Sequence, residues 1–184
     1  DLSLIGDDAI SRMLILLADE AEKQIPHLLS ENEKDLALMQ KSDPRFDRLQ
    51  LTGERIGVIA ADIRKVALLP SPLKRIISEF KKNNGLNIKR ITVPFGVIGV
   101  IYESRPNVTF DVFALCVKSG NAIILKGGSD AINSNFAITV IIKKVLKQFS
   151  INENIITLLP VGRDETLQLL TARGHVDLII PRGS

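Results

Sequence analysis

Apolar residues recur at helical spacing from early in the chain. Ile10, Met13, Leu14, Leu17, Ala21, Ile25 and Leu28 form a stripe that predicts an amphipathic helix. Ser30 with Glu33 three residues on is a capping-box pattern. It predicts that a second helix opens there and runs to about Lys41, stopping ahead of Asp43-Pro44. Thr52 is a candidate N-cap for a third helix, with Ile56, Ile59, Ala60, Ile63 and Val66 on one side, ended by Pro70 and Pro72. Residues 1–70 thus read as a helical segment whose work is packing, without a catalytic pattern.

Residues 75–93 read as a β-hairpin arm. Arg75–Phe80 and Leu86–Val93 flank Lys81-Lys82-Asn83-Asn84-Gly85, and Asn-Gly supplies the positive φ that a tight turn needs. A two-stranded ribbon is marginal alone, so the arm is expected to pack on another subunit or domain.

From Pro94 the periodicity changes. Val97-Ile98-Gly99-Val100-Ile101-Tyr102 is a continuous apolar run, the pattern of a strand buried on both faces. A helix is expected from about Thr109 to Ser119, closed by Gly120, then a strand at 122–126. Gly127-Gly128-Ser129 turns into a long helix, about Asp130 to Phe149. A strand at 155–159, a helix at 164–172 ended by Gly174, and a strand at 177–180 complete the series. Strands alternating with helices spell a parallel α/β sheet over residues 94–184. Pro181-Arg182-Gly183-Ser184 stands where another strand-to-helix turn would begin, so the expectation is a piece of something longer.

Composition narrows the function classes. The 184 residues are 45% hydrophobic and 24% charged, enough for a real core. The single cysteine, Cys116, excludes a disulfide framework and a cysteine-based zinc site. His27 and His175 lie too far apart for a metal pattern. No apolar run reaches ~18 residues, and the N-terminal residues lack a signal-peptide order, so no membrane span and a reducing, cytoplasmic setting are expected. A net charge of +3 with 4% aromatics and no Trp does not make a nucleic-acid footprint. The one dense basic stretch, Lys74, Arg75, Lys81, Lys82, Lys89 and Arg90, reads as a solvated face.

In open α/β sheets ligands sit at the carboxyl ends of the strands. Four loops fall there: 103–108, Gly127-Gly128-Ser129, 160–163 and 181–184. Three carry Gly ahead of an expected helix, where free N–H groups and the helix dipole favour anions. A dinucleotide or phosphate site is therefore expected, although no G-x-G-x-x-G or Walker pattern occurs. Lys126, meeting a helix N-terminus at a strand end, adds a cation to it.

At these residues a family resemblance emerges. Pro94-Phe95-Gly96-Val97-Ile98-Gly99-Val100-Ile101-Tyr102-Glu103 with Arg105-Pro106-Asn107-Val108-Thr109 resembles the signature of the gamma-glutamyl phosphate reductases (glutamate-5-semialdehyde dehydrogenases). The stretches 115–122, 125–128, 177–183 and, upstream, Asp43-Pro44-Arg45-Phe46-Asp47-Arg48-Leu49 extend the match to nearly the whole chain. The resemblance implies an aldehyde dehydrogenase-like fold: a Rossmann-like parallel sheet with N-terminal helices and a hairpin arm used in oligomerisation. Residues 1–184 would be the incomplete N-terminal NADP-binding domain, with the catalytic domain absent.

The implied activity is NADPH-dependent reduction of L-glutamyl 5-phosphate to L-glutamate 5-semialdehyde plus phosphate, in proline biosynthesis. In the family a cysteine thiolate attacks the acyl phosphate and hydride then reduces the thioester. Asn107 matches the family's oxyanion-hole asparagine, against the plainer role of capping the following helix. Arg105, Pro106, Lys126, Gly127, Gly128, Ser129, Gly162, Gly183 and Ser184 fall in the implied NADP(H) site. Lys126 and the uncharged Ser129 leave room for a 2′-phosphate, against the plainer reading of Lys126 as a solvated strand-end lysine.

Cys116 belongs to the family's Leu-Cys-x-Lys helix, so the nucleophile is expected beyond residue 184 and the chain alone inactive. Arg105 and Glu103, beside the oxyanion loop, are expected either to orient the substrate or to pair with each other, with the pair favoured. A homo-oligomer, glutamate 5-kinase as a partner, and no membrane or nucleic-acid partner are likewise implied. The alternatives are a non-catalytic NADP-binding fragment, an aldehyde dehydrogenase relative with another acyl substrate, and a basic nucleic-acid or acidic-partner binder, which salt-dependent binding to generic DNA would reveal.

Overall fold

The structure, a computed structural model, describes residues 2–182. Helix α1 spans Asp7–Lys23 and α2 spans Ile25–Leu36. The apolar stripe expected as one helix is thus divided at Gln24 (φ −95°, ψ 12°), and Ser30 lies inside α2 rather than capping it. The reason is Pro26. Its missing N–H is harmless in the first turn of a helix, so the chain restarts there. A short helix α3, Phe46–Leu49, which periodicity does not predict, follows the Asp43–Arg45 turn. Helix α4 spans Gly53–Leu68 and is capped as expected: Thr52 Oγ1 accepts from the Arg55 N–H. Its buried side is Ile56, Ile59, Ala60, Ile63 and Ala67.

Strands β1 (Ile76–Lys81) and β2 (Asn87–Ile91) form the expected antiparallel hairpin, with Gly85 at φ +87° in its turn. Within the two strands Ile88 alone is half-buried; the rest are exposed.

The second sheet contains β3 (Val97–Tyr102), β4 (Ala122–Lys126), β5 (Ile156–Leu158) and β6 (Leu178–Arg182) in the order β5-β4-β3-β6. All three pairings are parallel. Helix α5 (Asn107–Lys118) joins β3 to β4, α6 (Ile132–Gln148) joins β4 to β5, and α7 (Arg163–Thr171) joins β5 to β6. Because β6 returns beside β3, right-handed crossovers send α7 to the face opposite α5 and α6. The strand order reverses between β3 and β6, which places a crevice at their carboxyl ends. Pro181 and Arg182, expected in a loop, instead continue β6 opposite Ile101 and Tyr102. Among the described strands β6 lies at the sheet edge, where proline is tolerated. Gly183 and Ser184 lie outside the described residues.

Helices α1, α4, α5 and α6 bury one continuous core with the sheet, including Met13, Leu17, Ile63, Tyr102, Phe110 and Phe113. Two buried polar groups fasten the helical segment to it. Lys118 Nζ donates to Asp7 Oδ1 (2.7 Å), Ser11 Oγ (2.8 Å) and the Ala67 carbonyl (3.2 Å). Asp35, 2% exposed, sits on the N-terminus of α6. One oxygen accepts from Asn133 N (3.0 Å) and Nδ2 (2.8 Å), the other from Ser134 N (2.9 Å) and Oγ (2.6 Å). Asn32, one turn earlier, donates to the Leu49 carbonyl (2.9 Å) and Ser134 Oγ (3.0 Å) and accepts from Leu51 N (2.8 Å).

Asp35→Ala removes this cap and leaves buried donors unmatched, so it is expected to destabilise the chain by about 3 kcal/mol. Asp35→Asn, which keeps one acceptor oxygen, is expected to cost less. Urea midpoints of the two variants test this, and an unchanged midpoint for Asp35→Ala contradicts it.

Candidate functional site

A cleft of about 670 Å³ opens between the start of α5 and the α3–α4 segment. One wall is Arg105, Asn107 and Asp111; the other includes Asp47, Arg48, Gln50, Thr52, Arg55 and Asp62. Most of the cleft lining therefore comes from residues 1–70, a segment that periodicity assigns to packing alone. The signal is available on the outer side of α4, where Glu54, Val58 and Asp62 recur at four-residue spacing.

The α3–α4 wall is held from within. Arg55 donates to the Asp47 carbonyl, to the Gln50 carbonyl (2.8 Å) and to Asp47 Oδ1 (2.7 Å). Asn32 fixes the backbone on both sides of Gln50. The opposite wall is set by Pro106, buried, which precedes α5 and makes Asn107 its first residue. Asn107 is half-buried, and its Nδ2 donates to Asp111 Oδ2 at 3.1 Å, one turn along the helix. Capping is not what the Asn107 side chain does: α5 has no side-chain cap. Burial raises the Asp111 carboxyl above the usual carboxylate range; the Asn107 bond opposes this, Asp62 adds to it and Arg182 opposes it.

The expected pair of Arg105 and Glu103 does not form. Among the described residues they make no ion pair: Arg105, half-buried, lines the cleft, while Glu103 is exposed. The charged contact of this loop is made by its neighbour. Ser104 (φ +41°) donates to Asp130 Oδ2 (2.7 Å), which Arg45 also meets at 2.9 Å. Arg45 in turn holds the Asp43 carboxyl down to about 2 by paired hydrogen bonds. Three loops are joined through Asp130: the 43–45 turn, the β3–α5 loop and the β4–α6 turn.

Beyond Asp130 lies a second recess, an apolar slot of about 230 Å³. Gly127 and Gly128 form its floor, Ile132 and Phe136 one side, and Leu158–Val161 the other. Gly127 is there because the chain passes close to Asn135: a Cβ would stand 2.5 Å from its Nδ2. Asn135 Oδ1 accepts from Thr109 (2.9 Å), which bonds the Tyr102 hydroxyl (2.6 Å), and burial pushes that hydroxyl up to about 12. Lys126, at the end of β4, is 7% exposed and has one hydrogen bond, to the Gly127 carbonyl at 3.3 Å. It is not the solvated lysine of a strand end. Ser129 is exposed beside it, and Gly162 caps α7 next to the slot.

The anion expected at the N-terminus of α6 is corrected by the structure. The Asn133 and Ser134 N–H groups are already taken by Asp35, and a 3-10 turn, Ser129–Ala131, separates the glycines from the helix. A phosphate near this turn must rely on Lys126 and the turn itself. Cys116 is buried in α5 and its thiol is pushed up to about 11 by burial, the state of a packing residue. His27 and His175 are exposed. Among the described residues no cluster could hold a metal ion, and no helix is long and apolar enough to cross a membrane.

The slot is concave and mostly apolar, the make-up of a small-molecule site, and Lys126 nearby keeps hydrogen-bond donors unused. The exposed apolar pair Ile132 and Phe136, four residues apart on α6, is the mark of this slot that sequence reasoning overlooks.

No protein-family profile matches the chain. Among curated proteins, the gamma-glutamyl phosphate reductase of Bacteroides thetaiotaomicron is 58% identical over 184 residues, all of this chain and 44% of that protein. Among solved structures, the gamma-glutamyl phosphate reductase of Thermotoga maritima superposes with a TM-score of 0.95 at 34% identity, covering 100% of this chain and 45% of that one. A probable aldehyde dehydrogenase from Listeria monocytogenes superposes with a TM-score of 0.74 at 14% identity, covering 100% of this chain and 38% of that one, a likeness of fold. The chain spans less than half the length of the curated relatives it matches. Over its whole length, this chain is similar in sequence and in fold to a part, less than half, of the gamma-glutamyl phosphate reductases.

Proposed function

We propose that the protein containing this chain reduces L-glutamyl 5-phosphate to L-glutamate 5-semialdehyde with NADPH, releasing phosphate. This chain supplies the adenosine side of the cofactor site and the donor that stabilises charge on the acyl oxygen. The observation that carries the reading is Asn107: a neutral amide at the rim of the cleft, half-buried, with one N–H on Asp111 and the other left over.

Such a donor stabilises the developing oxyanion without an added positive charge to quench a neighbouring thiolate. The thiolate itself lies in the part of the protein beyond this chain, since Cys116 is buried and its thiol is held protonated. NADPH, when bound, supplies the hydride. Gly127 and Gly128, which line the slot, together with Lys126, Ser129 and Gly162 beside it and Arg105 and Pro106 at the start of α5, would hold the cofactor; Lys126 would meet its ribose and, with Ser129, leave room for a 2′-phosphate. The cleft mixes Arg48 and Arg105 with Asp62 and Asp111, a lining suited to an amino acid that bears both charges and an acyl phosphate.

The hairpin arm is read as an oligomerisation element. Ile76, Ile77, Phe80 and Ile91 are each about half exposed or more, and a bare ribbon needs a partner. A labile acyl phosphate also favours hand-over from glutamate 5-kinase, in the cytoplasm.

Three substitutions in the full-length protein test this reading. Asn107→Ala is expected to lower kcat by about 10²–10³-fold, measured as phosphate-dependent reduction of NADP by glutamate 5-semialdehyde. Unchanged kcat removes Asn107 from the reaction. Ser129→Glu sets a carboxylate against the 2′-phosphate and is expected to raise KM for NADP by about tenfold or more, with a smaller effect on NAD. Equal effects on both cofactors contradict the assignment of Ser129. Phe80→Asp is expected to lower the oligomeric state in sedimentation, and an unchanged state contradicts the role of the arm.

A further inference from the structure

The Asn107 side chain is not free to choose which end of its amide faces the cleft. Asp111 stands one turn along α5 and accepts from Asn107 Nδ2 at 3.1 Å. A carboxylate has no proton to give, so only the nitrogen end of the amide can face it. With one N–H so engaged, the second N–H of the same nitrogen is left as a donor. Were the amide turned over, its oxygen would face the carboxylate, and two acceptors would repel.

We propose that Asp111 is the positioning residue of this site: it fixes the amide of Asn107 as a donor, and its protonation releases that constraint. The proposal rests on the reading of Asn107 as the oxyanion donor. A protonated Asp111 carries its own O–H, which can donate to Asn107 Oδ1. The amide is then free to rotate, and the site loses the certainty of its donor. The reaction itself is unchanged: no bond to Asp111 forms or breaks, and the proton it takes up comes from solvent.

Several charged groups bear on this switch. Asp62, on α4 across the cleft, disfavours a second negative charge, and burial works in the same direction. Arg182, at the end of β6, and the Asn107 bond work against them. Arg105, from the β3–α5 loop, lines the same cleft, as do Glu54 and Arg55 on α4 and Asp47 and Arg48 on α3. The sign follows from the carboxylate being the form that orients Asn107, and the raised carboxyl moves the change toward higher pH. Activity is full above the pKa of that carboxyl and falls as pH drops through it.

The test uses Asp111→Asn, Asn107→Ala and the double variant in the full-length protein, with glutamate 5-semialdehyde, NADP and phosphate. The amide introduced by Asp111→Asn resembles the protonated acid in being donor and acceptor at once. This variant is expected to lower kcat by about tenfold with KM little changed, short of the cost of deleting a donor outright. It is also expected to abolish the acid limb of the kcat profile that Asp111 gives the wild type. Because Asp111 acts through Asn107, the double variant is expected to match Asn107→Ala.

Wild-type kcat and an unmoved acid limb in Asp111→Asn overturn the proposal. So does a double variant about tenfold below Asn107→Ala, which marks an independent role. Full activity in Asn107→Ala is a separate result: it overturns the underlying reading of Asn107, and this proposal with it.

Discussion

The carboxylate of Asp35 caps α6 from another part of the chain, and the geometry of both recesses depends on that contact. Its two oxygens take up four donors at the start of α6, each at 3.0 Å or less. A buried carboxylate is costly to desolvate and is retained where its hydrogen bonds are complete, as they are here. Asn32, on the same helix, carries the connection to the backbone at Leu49 and Leu51. Thus α2 grips the first turn of α6 on one side and the cleft wall on the other. The slot, which begins at Gly127 and runs along α6, and the cleft, which begins at Asp47, share one anchor.

That arrangement divides labour between rigid and polar parts. The parallel sheet and its helices set where the loops emerge. The loops are then tied to each other by polar contacts, Arg45 and Ser104 both meeting Asp130. The groups facing the cleft are mostly left exposed or half-buried, while Asn32 and Asp35, which fix its α3–α4 wall and α6, are buried and hydrogen-bonded. Asn107 stands at the boundary. Its backbone belongs to α5, and its amide, held by Asp111, faces the cleft. This is preorganisation in the ordinary sense: a donor whose direction is set before anything binds.

Much of the fold is legible because the signals are local. The apolar run 97–102, the Thr52 cap, the Asn-Gly turn and Gly120 (φ +74°) each specify their element without reference to the rest. The misreadings come where a second feature outranks the local pattern. Ser30 and Glu33 make a plausible cap pair, but Pro26 has already opened the helix. Gly127-Gly128 ahead of a helix suggests a free N-terminus, but the donors there are claimed by Asp35, 98 residues earlier in the chain than Asn133. Pro181 suggests a loop, but an edge strand accommodates it. The site divides in the same way. Asn107, Lys126 and the glycines stand out by motif, whereas Asp111, Arg48 and Asp62 matter through placement on helices that meet only in the folded chain.

The central claim is that an acyl phosphate is reduced at a site to which this chain brings cofactor and oxyanion contacts. In the reverse direction phosphate must be consumed, because the product is an acyl phosphate rather than a free acid. The most direct measurement is NADP reduction by the full-length wild-type protein with glutamate 5-semialdehyde, with and without inorganic phosphate. The account predicts turnover that requires phosphate and prefers NADP over NAD. Turnover that proceeds equally well without phosphate, or none with either cofactor, contradicts it.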